Sequence, residues 1–188
     1  MLMRYRGKPK RVLGGLVVLS SLGIAAMVTA GCASFNPPLP VVESVDLERY
    51  AGKWYEIASY PNSFQSGCEE TTAVYTPRDD GKITVLNTCR EAESRQLRDI
   101  EGTARVVDRT TNAKLKVSFF WPFEGDYWII DLAEDYSYAV VSEPGRRFLW
   151  ILSRTPTMDD ATYEDILAFV AERGLDPDRL VRTRQVAE

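Results

Sequence analysis

The sequence predicts an all-β fold: an eight-stranded, up-and-down antiparallel barrel with one C-terminal α-helix packed outside it. Three observations predict it. Between residues 51 and 154, β-branched and aromatic residues recur in short runs, broken by turn residues at roughly 8–15 residue spacing, as in antiparallel barrels and sandwiches. The runs number eight, enough for a sheet to close around one small ligand and to lose its exposed edges. A single segment of helical periodicity follows them.

The first element is a leader. Residues 1–11 carry five basic side chains (Arg4, Arg6, Lys8, Lys10, Arg11) and no acid, and residues 12–30 are uncharged and mostly apolar. A basic head, an apolar run and small residues before a break read as a cleaved signal peptide over 1–31. The alternative is a permanent anchor, because a bilayer takes about 20 apolar residues. Gly14, Gly15, Ser20, Ser21 and Gly23 weaken a spanning helix, and Ala30–Gly31 before Cys32 favours cleavage.

Thr29-Ala30-Gly31-Cys32 resembles the lipobox of bacterial lipoproteins, although Thr29 stands where leucine is usual. The resemblance implies that Cys32 becomes the acylated N-terminus, with more than one hydrocarbon chain, as stable anchoring requires. The alternative is an ordinary thiol. Ala33 stands where an aspartate would resemble an inner-membrane retention signal, so the resemblance implies the outer membrane. Residues 32–44 then form an acylated N-terminus and spacer, extended by Pro37, Pro38 and Pro40 or simply poorly ordered. Residues 45–188 form the barrel and helix.

Removing the five leader cations leaves 18 Lys and Arg against 27 Asp and Glu, a net charge of −9. Such a surface attracts neither nucleic acid nor anionic headgroups, so membrane attachment falls to the acyl chains on Cys32. The chain contains no histidine. That excludes Ser-His and Cys-His catalysis, histidine-ligated haem and the usual zinc sites. No metal, cofactor or enzymatic activity is expected.

Strands are predicted near 53–60, 71–76, 82–89, 100–107, 113–120, 126–132, 138–142 and 148–153. Turn residues fall between them as Asp79-Asp80-Gly81, Thr110-Thr111-Asn112, Glu124-Gly125 and Pro144-Gly145. For the helix, Thr157 reads as N-cap with Asp160 three residues on. Tyr163, Ile166, Leu167 and Val170 form its apolar face, and Gly174 stops it. Residues 179–185 read as a short extra strand. There is no internal repeat.

Tyr50-Ala51-Gly52-Lys53-Trp54-Tyr55 resembles the first lipocalin signature, Gly-x-Trp at the start of the first strand. Leu149 to Thr155 resembles the third, whose arginine, here Arg154, lies across the tryptophan ring. Glu134-Asp135-Tyr136 partly resembles the second, with glutamate in place of threonine. The chain is thus similar to bacterial lipocalins, the lipoprotein branch of that family. The resemblance makes Gly52, Trp54 and Arg154 a barrel-closing set with no catalytic role. It implies a fatty acid or lysophospholipid ligand, serving lipid storage or transport at the envelope.

Cys68 and Cys89 are equidistant from the turn between the second and third strands, so they are expected to face each other as a disulfide. Buried free thiols are the alternative. Aromatics crowd the later strands, and Trp121-Pro122-Phe123 falls in a loop, at the ligand entrance or a homodimer contact. Glu56, Trp121, Phe123, Tyr138 and Trp150 are the candidate cavity residues. Parity puts Tyr138, Val140 and Ser142 on one side of their strand without saying which. Two other readings stand beside lipid binding: a structural or inhibitory lipoprotein with a filled barrel, and an enzyme acting through Glu56.

Overall fold

Eight strands follow one another around the barrel: β1 (Gly52–Ser59), β2 (Cys68–Pro77), β3 (Ile83–Glu91), β4 (Leu97–Val106), β5 (Lys114–Phe120), β6 (Phe123–Leu132), β7 (Tyr138–Ser142) and β8 (Leu149–Ser153). Each runs antiparallel to the next, and β8 pairs back onto β1. The computed structural model describes residues 37–186. The leader, Cys32 and the start of the spacer lie outside the described residues.

Because the strands run up and down, connections alternate between two ends. The closed end holds the entry to β1 and the loops after β2, β4, β6 and β8. It is tied together by Val45 N–H to the Thr111 carbonyl (2.7 Å) and by Arg49 to the Glu134 carbonyl (2.9 Å). The open end carries residues 60–67, 92–96, 121–122 and 143–148.

All eight predicted runs are strands, with shifts at their ends. The largest correction is at Glu124-Gly125, which lies within β6 and is not a turn. The β5–β6 hairpin is tighter, pairing Phe120 with Phe123 around Trp121–Pro122. Glu124 instead forms a two-pronged salt bridge with Arg105 on the outer wall (2.9 and 2.6 Å).

Two apolar clusters follow from strand alternation. Trp54, Tyr75, Val85, Ala104, Leu115, Ile129, Val141 and Leu152 fill the lower interior. Ala58, Ile130, Val140, Leu149 and Ile151 face outward, under Tyr163, Ile166 and Val170 of α2 (Asp160–Glu172). Without that helix these outward residues would leave an apolar stripe in water.

The helix cap differs from expectation. Asp159, not Thr157, is the N-cap, and its carboxylate accepts from Thr162 N–H at 2.9 Å. Its charge also suits the positive end of the helix. At the other end Gly174 N–H donates to the Ala171 carbonyl and Leu175 N–H to that of Val170, a Schellman closure with Leu175 packed in the helix cluster.

The proline-rich stretch also differs. From Pro37 onward the expected spacer is part of the folded body. Arg146, in the open-end loop after β7, donates to the Pro37 carbonyl (2.8 Å), Leu39 is buried with the helix cluster, and Val42 N–H bonds the Ile129 carbonyl. The chain thus runs down the outer wall to a short helix, α1 (Leu47–Tyr50), which composition did not signal.

A final strand, β9 (Val181–Arg182), pairs with β1 at Ala58 and Ser59. β1 bonds β2 only from Gly52 to Tyr55; above that the tail lies between them. Arg184 accepts from Glu70 N–H (2.7 Å), and the Gln185 amide reaches the carbonyls of Glu56 and Thr71 (2.8 and 2.9 Å).

Candidate functional site: the barrel interior and its two ends

The floor is built from the signature residues. Asp46 caps α1 by accepting from the amides of Glu48 and Arg49, and Gly52 takes a φ of +93°, which a side chain would oppose. Trp54 then points inward, wholly buried, its indole N–H donating to the Tyr50 carbonyl at 2.8 Å. The Arg154 guanidinium lies 3.8 Å from the Trp54 ring centroid and donates to the carbonyls of Lys53 (2.9 Å) and Arg49 (2.6 Å). A stacked, partly desolvated cation of this kind contributes about 2 kcal/mol. The floor is sealed.

Directly above it three tyrosines meet. Tyr127 Oη lies 2.7 Å from Tyr50 Oη and 2.8 Å from Tyr75 Oη. Burial pushes the Tyr75 hydroxyl up to about 12, and burial likewise carries Tyr50 and Tyr127 well above the ordinary tyrosine value. All three are therefore protonated at neutral pH. Three hydroxyls joined by two hydrogen bonds use two protons, so one O–H is left to donate outside the cluster. These residues come from α1, β2 and β6 and were not anticipated. Their separations of 52 and 77 residues carry no periodic signal; only register brings them together.

Higher up, the inward wall changes character. Ala73, Val117, Phe119, Tyr127 and Trp150 pack on the interior cluster yet are only half-buried. In a closed barrel, an inward side chain owes its exposure to space inside or at the mouth. Asn87 shares the inward face of β3 with Val85, opposite Ala73, and its buried Oδ1 has no hydrogen-bond partner among the described residues. The upper interior wall is therefore apolar with isolated polar groups, the make-up that ligand-binding walls share. A groove of about 430 Å³ runs along β4 and β5, lined by charged Lys82, Glu101, Arg105 and Glu124 and also by Gly102, Phe119 and Trp121, so charged and apolar surface meet in it.

Of the candidate cavity residues, Trp150 faces inward near the mouth, its indole N–H donating to Gln65 Oε1 (3.1 Å) beside Phe148 and Phe64. Glu56 also faces inward, but its carboxylate is engaged by Ser59 (3.0 Å), Gln65 (2.8 Å) and Thr183 (2.6 Å). It fastens the tail and the open-end loop after β1 and is not presented as a free acid. Trp121 and Phe123 stand exposed on the rim, at the β5–β6 hairpin. Tyr138 is a correction: it lies on the outer face beneath α2, donating to Asp131 (3.3 Å). Val141 pairs with inward Ile129 and Ala139 with inward Leu152, so Tyr138 and Val140, which alternate with them, face out; the bulge in β6 between Ile129 and Asp131 keeps Leu132 inward beside Ala139.

Cys68 and Cys89 are joined by a disulfide at the open end, with Cα atoms 5.5 Å apart. They are not direct cross-strand partners, since Cys68 pairs with Glu91; a bulge in β2 between Glu69 and Thr72 brings the sulfurs together. Among the described residues no group of three or more Cys, Asp or Glu could hold a metal. No described helix is long and apolar enough to cross a membrane.

An antiparallel barrel sealed at one end by Trp54 and Arg154, open at the other and buttressed by one helix defines a single-chalice binding protein. A family model described as a lipocalin-like domain matches residues 45–185, and the chain belongs to that family. It is 40% identical over 172 residues to outer membrane lipoprotein Blc of Escherichia coli (strain K12), covering 90% of this chain and 97% of that one. It is also 40% identical over 156 residues to temperature-induced lipocalin-1 of Arabidopsis thaliana, covering 78% and 83%. Among solved structures, insecticyanin from the tobacco hornworm Manduca sexta superposes with a TM-score of 0.67 at 20% identity, over 81% of this chain and 87% of that one. That likeness concerns the fold alone.

Proposed function

We propose that this is a binding protein, not an enzyme, tethered to the outer membrane through an acylated Cys32. Its barrel takes up one fatty acid or lysophospholipid for storage or transport at the envelope. The observation that carries this reading is the contrast along the interior: a sealed floor below, and half-buried Val117, Phe119, Tyr127 and Trp150 above. An acyl chain matches that apolar wall, and an ester or carboxyl oxygen can accept the spare tyrosine proton or be placed near Asn87. The name and 40% identity of the Escherichia coli lipoprotein support the membrane and the anchor.

The test is a titration of a Cys32→Ser chain beginning at residue 32 with oleate and with lysophosphatidylcholine, following tryptophan fluorescence. Trp150, on the inner wall, is expected to report a saturable change with at least one of them, and that response should be lost in Trp150→Phe. A flat titration with both classes overturns the reading and leaves a filled barrel.

A further inference from the structure

The open rim is apolar, and the chain that leads toward Cys32 arrives beside it. Phe64, Leu97, Phe120, Trp121 and Phe123 are 58%, 63%, 70%, 90% and 77% exposed, and all five belong to open-end loops or to strand ends beside them. Isolated exposed apolar residues are ordinary, but five at one end of a barrel form a surface that water disfavours. The nearby charges are largely paired: Arg95 bridges Glu69 and Glu70, Arg90 bonds Glu70, and Arg184 bonds Glu69. The carboxylates of Glu69 and Glu70 beside the rim are thus matched by arginines.

The position of the N-terminal segment supplies the occupant. Pro37 is held at this same end by Arg146, and four residues lie between it and Cys32. The five Cα–Cα steps from one to the other, fully extended, reach at most about 18 Å. Resting on the anchoring reading of Cys32, we infer that the barrel docks mouth-down on the bilayer, with Trp121 and Phe123 seated among the lipid headgroups and upper acyl chains. A tether that short, leaving from the mouth, holds the rim against the surface carrying the acyl chains. An aromatic rim is suited to that interface, where amphipathic rings partition. Ligand exchange then occurs directly between membrane and barrel, with no passage through water.

The full chain, acylated in cells and reconstituted into vesicles of phosphatidylethanolamine and phosphatidylglycerol, tests this. Flotation reads the anchor, and quenching by lipids brominated high in the acyl chain reads the rim. The contribution of Trp121, taken as wild type minus Trp121→Ser, is expected to be blue-shifted and quenched. A chain that floats while that contribution stays unquenched overturns the docking alone. Failure to float, with the Cys32→Ser chain behaving the same, overturns the anchoring reading and the docking with it. A soluble dimer that Trp121→Ser returns to monomer gives the rim to a second copy and overturns the bilayer as its occupant.

Discussion

The two ends of this barrel use aromatic residues in opposite ways. At the closed end Trp54 is wholly buried, donates its indole proton to Tyr50 and lies under the Arg154 guanidinium. At the open end Trp121 is 90% exposed. One end spends its aromatics on a packed floor; the other presents them to whatever meets the mouth. Aromatic content by itself therefore says little about a cavity, whereas the position of each residue relative to the strand ends says much.

Trp54→Ala empties the floor and should cost about 4 kcal/mol of unfolding free energy in urea melts. Replacing both Cys68 and Cys89 with serine should cost about 3 kcal/mol through the freed denatured chain, and reductant should produce the same shift in wild type.

The tyrosine cluster predicts an alkaline limb. The folded-state value of Tyr75 is raised to about 12 from an ordinary 10.0, so the folded state holds a proton that the unfolded chain has released. That contribution, on the order of 2 kcal/mol, is complete below pH 10 and is lost as pH rises from 10 toward 12. Tyr75→Phe should make this limb shallower in pH-dependent melts, leaving the part that Tyr50 and Tyr127 contribute. Trp121→Ser, at the other end, should change stability by less than about 0.5 kcal/mol. If it cost as much as Trp54→Ala, the rim would be core and the contrast between the ends would disappear.

Legibility in the sequence followed the range of the interactions. Gly52, Trp54 and Arg154 were readable through their resemblance to two lipocalin signatures, one at the start of β1 and one at the end of β8. The disulfide was readable from equidistance about one turn, even though a bulge alters the register. The Tyr50–Tyr127–Tyr75 cluster was not, since it needs three elements in register. Tyr138 could not be assigned a face because alternation gives parity alone, and its side is fixed by the cross-strand partners of β7 on β6 and β8. Asp159 displaced Thr157 as helix cap because both residues suit the role and only the path of the chain after β8 chooses between them. The packing of Leu39 and Val42 along the wall was hidden by their prolines, which read as a spacer.

The tail between β1 and β2 sets an order of events during synthesis. The upper part of that seam is bonded by residues 181–185, at the far end of the chain from β1. A ribosome-bound chain lacking them can pair β2 through β8 in turn but has no partner for the upper edge of β1. The wall is finished only when residues 181–185 emerge, so a truncation that removes them acts on barrel closure itself.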